Sequence, residues 1–279
     1  MTYPLAMYSP ELRRDTVERL FDAVKLYGFE QVQFDFLSVC EEELPPSLEA
    51  PLLDRVKLAA ADRGLTICAV NGTFNLIHPN RQVVAENIAR FEVLAKGCTA
   101  LGCKLITLCT GTRDRTSMWR WHEENESPEA WDDLLWAMEQ LLTIAKRYDL
   151  LLGVEPEASN VVNTPEKARL LLDTMQSDQL KVIFDPANLF HVGDARPEKA
   201  ISILEHAFGL LWEDIALAHG KDIHAGEGIS FTGAGRGIVP YEHFFSLLES
   251  IGYQGPLVAH GIHSEADFPY SVAFLRSLL

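Results

Sequence analysis

Short apolar segments rich in β-branched residues recur along the whole chain, and segments with helical periodicity separate them. The apolar segments are LAMYS, QVQFDF, LTICAV, KLITLCT, LLLGVEP, LKVIFDP, DIALAH and PLVAHGI, which begin at residues 5, 31, 65, 104, 150, 180, 214 and 256. The intervening segments 53–64 and 88–102 carry the apolar spacing of amphipathic helices and close on a glycine, where a helix C-cap is expected. Eight strands alternating with eight helices predict a (β/α)8 TIM barrel.

A doubly wound open sheet is the structural alternative, because it is built from the same βα units. That fold usually has a glycine-rich turn after its first strand when it binds a nucleotide, and none follows the first apolar segment here. The 279 residues are close to the ~250 typical of a TIM barrel, and no linker or low-complexity tract divides them. We therefore expect one domain over residues 1–279. Helices are predicted to start at Ser9-Pro10, Ser127-Pro128 and Thr164-Pro165.

Charge and hydropathy exclude several classes of partner. The formal net charge of −16 disfavours a nucleic-acid partner, since the phosphate backbone is an anion. No apolar run approaches the ~18 residues of a membrane helix, and the N-terminus lacks the pattern of a signal peptide, so we expect a cytoplasmic protein without a membrane partner. The five cysteines are an odd number without CxxC spacing, which favours free thiols. They are Cys40, Cys68, Cys98, Cys103 and Cys109.

Four consecutive predicted strands deliver a metal-ligating side chain at equivalent positions. Glu155, Asp185, His219 and His260 each lie at the end of one apolar segment, about one βα unit apart. The C-terminal ends of barrel strands converge on one mouth, where active sites of this fold lie. Carboxylate and imidazole ligands together suit Mn²⁺, Fe²⁺, Co²⁺ or Zn²⁺ better than Ca²⁺ or Mg²⁺. The pattern predicts one divalent metal ion, which would also explain why Glu155 and Glu157 project together from the fifth strand.

Further polar residues follow the same strand ends and are candidates for binding a substrate. They are Asn71, Asn75, His78, Arg113, Asn188, His191 and Arg236. The two guanidinium groups offer a bidentate fork to a phosphate or carboxylate. Lys221, next to Asp222, either pairs with that residue or acts on the substrate. The longest βα connection, residues 110–130, is a candidate lid or substrate loop, although we expect its Trp119, Trp121 and His122 to pack locally.

Six short motifs resemble those of the xylose isomerase-like barrel superfamily, the sugar phosphate isomerase/epimerase group. They are NGTFNLIHP at 71–79, VEPE at 154–157, FDPANL at 184–189, AHGKD at 218–222, GAGRG at 233–237 and GPLVAHGI at 255–262. The resemblance implies that Glu155, Asp185 and His219 bind a metal. It also implies that Glu157, Asn188 and Arg236 face a small carbohydrate substrate, and dimers or tetramers are common in the superfamily.

One position departs from the superfamily pattern. Its sugar epimerases usually place a glutamate, both ligand and base, where this chain has His260. A coordinated imidazole cannot also abstract a proton, so an isomerase with one base is favoured over a two-base epimerase. Glu155 and Glu157 are the candidate bases, a metal-stabilised enediolate is the expected intermediate, and Lys221 or His191 can return the proton.

Three other functions are compatible with a metal-binding barrel to different degrees. A lyase or dehydratase acting on a keto-inositol, or a hydrolase acting on an oxidised sugar, would use the same ligands and yield an unsaturated or shortened product. A repair endonuclease would need more histidines at strand ends and a basic groove, which the sequence lacks. A barrel that binds its ligand without turning it over is the remaining alternative.

Overall fold

The structure, a computed structural model, describes residues 3–39 and 42–279. Its strands are Leu5–Tyr8 (β1), Gln31–Phe34 (β2), Thr66–Asn71 (β3), Leu105–Leu108 (β4), Leu151–Val154 (β5), Leu180–Phe184 (β6), Ile215–Ile223 (β7), Phe231–Gly233 (β8) and Leu257–Ala259 (β9). Its helices are Val17–Leu26 (α1), Ala50–Asp62 (α2), Arg81–Leu101 (α3), Pro128–Tyr148 (α4), Pro165–Met175 (α5), Pro197–Leu211 (α6), Tyr241–Ser250 (α7) and Phe268–Leu278 (α8).

Within these ranges, eight parallel strands form a closed barrel in the order β1 to β7 followed by β9. Closure is direct, because Met7 of β1 pairs with Val32 of β2 on one side and with Ala259 of β9 on the other. The predicted single-domain (β/α)8 barrel is therefore confirmed, and the open-sheet alternative is wrong. The strand β8 was not predicted. It pairs antiparallel with the last three residues of β7, Lys221 to Ile223, which lie beyond the barrel.

Most of the predicted helix boundaries have the expected caps. The Ser127 hydroxyl accepts a hydrogen bond from Ala130 N at 3.1 Å, and the Thr164 hydroxyl accepts one from Lys167 N at 3.2 Å. Ser9 does not start a long helix, because a single 3₁₀ turn over Ser9–Leu12 follows β1 and α1 begins later. The Ser9 hydroxyl accepts a hydrogen bond from Asp35 N instead, at 2.9 Å.

The core has two parts. A small cluster fills the barrel interior, and its buried members are Ala6, Ala69, Leu105, Ile183, Leu217 and Val258. A larger cluster lies between the strands and the helices and includes buried Phe21, Phe91 and Phe244. Each such aromatic side chain contributes about 2–3 kcal/mol of transfer free energy.

The four described cysteines are free, as expected; Cys40 lies outside the described residues. None of the helices in the described ranges is long and apolar enough to span a bilayer.

Candidate metal centre and substrate cavity

The residues at the C-terminal mouth of the barrel follow directly from strand periodicity. Side chains two residues apart on a strand share a face, so the second residue after each interior core residue also points inward, one layer higher. Ile183 is followed in this way by Asp185, Leu217 by His219 and Val258 by His260. A hydrophobic layer therefore supports a polar layer from below.

This polar layer forms the floor of a cavity of about 820 Å³. The predicted site residues that line it are Asn71, Glu155, Glu157, His191, His219, Lys221 and His260. Asp185 and Asn188 are each 2% exposed and lie behind the residues that line the cavity, where they contact those side chains. The sequence thus placed the carboxylates and imidazoles of β5, β6, β7 and β9 at one mouth.

Three side chains form a group that fits a divalent cation. Among the described residues, one ligand atom each of Glu155, Asp185 and His219 lies within 4.8 Å of the other two. Nδ1 of His219 is 3.3 Å from Oε1 of Glu155 and 3.4 Å from Oδ2 of Asp185. Two carboxylate oxygens and one imidazole nitrogen are the donor set that Mn²⁺, Fe²⁺, Co²⁺ and Zn²⁺ accept.

A glutamine outside this group sets the orientation of the histidine. Nε2 of His219 lies 2.9 Å from Oε1 of Gln33, an oxygen that can only accept a hydrogen bond. Nε2 therefore carries a proton, and Nδ1 faces the two carboxylates. Burial lowers the pKa of His219, but the charges of Glu155 and Asp185 outweigh it and raise the pKa to about 9, so at neutral pH Nδ1 also carries a proton, which a bound metal ion would displace. Gln33 is itself fixed, since its amide nitrogen donates to the hydroxyl of Thr107 at 3.2 Å. Such a second partner is typical of a metal-binding histidine.

A buried lysine stands beside the carboxylates. Nζ of Lys221 donates to Oδ1 of Asn188 at 2.6 Å and lies 3.0 Å from Oδ2 of Asp185. Asn188 in turn donates to Oε1 of Glu155 at 2.6 Å. Asn188, expected to face the substrate, instead bridges Lys221 and Glu155 below the cavity wall. Asp222 does not pair with the lysine, because its carboxylate accepts backbone N–H groups of the 233–239 loop.

The electrostatics of the site favour the charged forms of Lys221 and Asp185 but not that of Glu157. Burial alone would lower the pKa of Lys221, but the charges of Asp185, Glu155 and Glu157 outweigh it and raise the pKa, so the side chain is an ammonium. Burial likewise opposes ionisation of Asp185, yet Lys221 and His219 lower the pKa of that carboxyl. Burial raises the pKa of Glu157, with Lys221 opposing the shift and Glu155 adding to it.

His260 lines the cavity next to the group without belonging to it. Its ring is 5.3 Å from that of His219, centroid to centroid. Its Nδ1 is 2.7 Å from Oε1 of Glu11, a residue of the turn that follows β1. This contact leaves only Nε2 of His260 to meet a metal ion or a substrate.

Besides Asn188, four predicted substrate-binding residues lie outside the cavity, because other groups hold them: Asn75, His78, Arg113 and Arg236. Asn75 donates to Thr112 O at 2.8 Å and accepts from Thr112 N, which fixes the start of the 110–130 loop. His78 is tied to the backbone of Asn80 at the start of α3.

The two arginines are held in the same way. Arg113 donates to Ile77 O at 3.0 Å and pairs with Asp133 of α4 at 2.8 Å. Arg236 pairs with Asp267 at 2.6 Å and stacks on Tyr270. Neither guanidinium is placed to bind an anion in this cavity.

The loop of residues 110–130 differs from expectation. Trp119 and Trp121 do not pack into the body of the protein; they are 57% and 50% exposed and line the cavity. His122 plays a local part, since its Nδ1 accepts a hydrogen bond from Glu124 N at 3.2 Å. The loop is thus a wall of the cavity, which agrees with its interpretation as a substrate loop.

Some residues of the site were not predicted. Glu11 follows β1 by three residues, and Gln33 lies in β2, where glutamines alternate with apolar residues in the sequence QVQF. The same strand-end and alternation criteria that identified Glu155 would have identified both. His191 Nε2 and Asn163 Oδ1 are buried without a hydrogen-bond partner in the described part of the chain, and both residues line the cavity.

Comparison with known proteins agrees with this description. The family model described as xylose isomerase-like TIM barrel matches residues 21–278. No curated protein matches the sequence. Among solved structures, the apo 3-keto-D-glucoside 4-epimerase YcjR from E. coli has a TM-score of 0.74 at 17% identity, covering 99% of this chain and 100% of its own.

Two further structures contain metals. The IOLI protein with a bound zinc atom has a TM-score of 0.72 at 17% identity and covers 99% of this chain and 96% of its own. A xylose isomerase-like protein from Mycobacterium smegmatis in complex with magnesium has a TM-score of 0.70 at 15% identity and covers 100% of this chain and 98% of its own. These identities show a shared fold, and the family model over residues 21–278 shows that the chain belongs to the xylose isomerase-like TIM barrel family.

Proposed function

We propose that the protein is a divalent-metal-dependent isomerase or epimerase of a small sugar or sugar derivative. The observation that carries the proposal is the buried group of Glu155, Asp185 and His219 at the base of a large cavity in this family of barrels. The E. coli 3-keto-D-glucoside 4-epimerase, which has the same fold, supports a carbohydrate substrate.

Glu155, Asp185 and His219 would hold the metal ion. A bound divalent ion supplies Lewis-acid polarisation of a substrate carbonyl or hydroxyl oxygen. Mn²⁺, Zn²⁺, Co²⁺ and Fe²⁺ suit the mixed oxygen and nitrogen donors better than Mg²⁺. His260 is a candidate fourth ligand through Nε2 alone, because Glu11 occupies its Nδ1.

Glu157 is the best-placed base of the site. It lines the cavity, and its raised pKa makes it a stronger base than a solvated carboxylate. Glu157 would take the proton from the carbon beside the carbonyl and return it to the neighbouring carbon, through an enediolate form of the sugar. Lys221 remains an ammonium and would donate a hydrogen bond to the oxygen on which negative charge develops.

An epimerisation needs a second base on the other face of the carbon. Sequence alone disfavoured it, since a coordinated His260 has no free lone pair. His260 lies outside the group formed by Glu155, Asp185 and His219, and the Glu11 carboxylate orients its ring. The single lone pair of His260 Nε2 can bind the metal or take a proton, not both, so His260 would serve as the second base only in a site where Glu155, Asp185 and His219 hold the metal without it.

Elemental analysis of the purified protein tests the metal site. We expect about one equivalent of divalent metal, retained in the control Asp178→Asn and lost in Asp185→Asn, because Asp178 is exposed before β6 whereas Asp185 is in the group. Equal metal content in the two variants, or no metal after incubation with Mn²⁺, Zn²⁺, Co²⁺ and Fe²⁺, would contradict the proposal.

Solvent exchange tests the reaction. Incubating the metal-loaded protein in D2O with a panel of aldoses, ketoses and keto-sugars should incorporate deuterium at a carbon-bound position, and Glu157→Gln should abolish incorporation. An unsaturated or shortened product would identify the lyase or hydrolase alternative instead.

A further inference from the structure

The outer wall of the cavity is apolar, in contrast to its polar floor. Nine large hydrophobic side chains are exposed among the described residues, and six of them lie on helices away from the cavity. The other three, Trp119, Trp121 and Val192, all line the cavity, although they come from two different loops. Exposed apolar groups gathered at one mouth, rather than scattered singly, mark a binding surface.

Two half-buried side chains extend this apolar surface down to Lys221 at the cavity floor. Ile229 and Phe231, from the β7–β8 connection and β8, also line the cavity. Nζ of Lys221 lies 4.2 Å from the centroid of the Phe231 ring. The apolar wall therefore begins beside Lys221 and reaches the indoles of the 110–130 loop. We call these five apolar residues the outer wall: Trp119, Trp121, Val192, Ile229 and Phe231.

The loop that carries the indoles is held in place before any ligand binds. Asn160, fully buried, accepts from Gly111 N at 2.6 Å and donates to Met118 O at 3.0 Å. Gly111 has a φ of +81°, and a Cβ there would lie 2.9 Å from Cα of Asn75, so only glycine fits. Asn125 Oδ1 accepts from Arg113 N at 2.7 Å. A preorganised aromatic wall binds a flat ligand with little further loss of entropy.

We propose that the substrate carries an aromatic ring, as an aglycone or substituent, that lies against the outer wall while its sugar occupies the polar floor. This inference rests on the proposed function, which assigns the sugar to the floor. A cavity of about 820 Å³ is in the range that encloses drug-sized ligands and exceeds what a single sugar ring needs.

The chemistry of the wall favours an aromatic ring over a second sugar. A sugar can lay its C–H face on an indole, but among the five outer-wall side chains only the two indole N–H groups can hydrogen-bond to its hydroxyl groups. Ser159, a polar neighbour on the wall, already accepts a hydrogen bond from Asn160 at 3.2 Å. Indole and phenyl rings instead make edge-to-face or offset-stacked contacts with an aromatic ligand.

Binding of matched glycosides tests the inference. The probes are the phenyl and methyl β-glycosides of glucose, galactose and xylose, together with cellobiose, and dissociation constants are measured by ligand-observed NMR on the EDTA-treated full-length protein. We expect the phenyl member of at least one pair to bind about tenfold or more tightly than the methyl member. The preference should fall to about twofold or less in the double variant Trp119→Ala/Trp121→Ala.

Trp212→Ala is the matched control, because Trp212 is 43% exposed and lies before β7, at the opposite end of the barrel. It should keep the full preference. Equal binding within every pair, no detectable binding of any phenyl glycoside, an unchanged preference in the double variant, or tighter binding of cellobiose than of phenyl glucoside would overturn the inference. These binding measurements use metal-free protein, whereas the proposed function is tested by metal content. Failure of one test is therefore distinguishable from failure of the other.

Discussion

Nζ of Lys221 lies 3.0 Å from Oδ2 of Asp185, with both side chains 5% exposed or less. The lysine thus supplies a positive charge to a cluster that also contains Glu155 and Glu157. A divalent ion bound by Glu155 and Asp185 would bring positive charge to the same carboxylates. The stability of the metal-free protein should therefore depend on Lys221 more than the stability of the metal-loaded protein does.

Lys221→Met tests this dependence. We expect the metal-free variant to lose about 3 kcal/mol of unfolding free energy, because removing one partner of a buried pair leaves uncompensated charge. Saturating divalent metal should reduce that loss. The control Lys199→Met breaks an exposed pair with Asp194 and should cost less than about 1 kcal/mol. Urea unfolding with and without EDTA measures both, and equal losses in the two variants would argue against a buried charge cluster.

Glu11 is predicted to position His260. Its carboxylate contacts His260 Nδ1 at 2.7 Å and accepts from Gly261 N at 2.7 Å. Glu11→Gln should lower the rate of substrate deuterium exchange by about 10- to 100-fold, as for other partners of catalytic or ligating histidines. Glu30→Gln, an exposed residue before β2, should have no effect. A Glu11→Gln variant with the parent rate and pH profile would show that the contact is only structural.

The half-buried carboxyl of Glu157 predicts a pH-dependent stability. Burial raises its pKa above the ordinary value of 4.5, so the folded protein binds this proton more tightly than the unfolded chain does. Its contribution to stability is therefore present at low pH and is lost as the pH rises through the folded pKa.

Glu157→Gln removes this contribution and its pH dependence. The unfolding free energy of the variant, minus that of the parent, should be more positive at pH 8 than at pH 5. Urea unfolding with EDTA present measures this difference. The exposed Glu213→Gln should show the same difference from the parent at both pH values. If Glu157→Gln behaved as that control does, the pKa of Glu157 would not be raised.

Asp222 organises the segment that follows β8. Its carboxylate accepts from the backbone N–H groups of Gly235, Gly237 and Val239 at 2.9–3.0 Å. Asp222→Asn turns one acceptor into a donor that faces N–H groups, so we expect a loss of about 2–4 kcal/mol of unfolding free energy. Asp54→Asn, exposed on α2, should change it by less than about 0.5 kcal/mol. If Asp222→Asn and Asp54→Asn unfolded at the same temperature and at the same urea concentration, this account would be contradicted.

The barrel and the inward direction of the site residues follow from local sequence patterns. Alternation of strands and helices is a local pattern, and so is the two-residue period that places Glu155, Asp185 and His219 on the inner face of their strands. Because parallel barrel strands end at one mouth, local direction was enough to bring these three side chains together.

The contacts of the remaining polar side chains depend on long-range packing that local patterns do not encode. Arg113 and Arg236 also follow strand ends, yet each is held by an aspartate on a helix or turn whose position depends on packing. The contact between His260 and Glu11 joins residues 249 positions apart and exists because β9 closes the barrel on β1. Loop conformations such as that of Trp119 depend on many such distant partners, and no local periodicity encodes them.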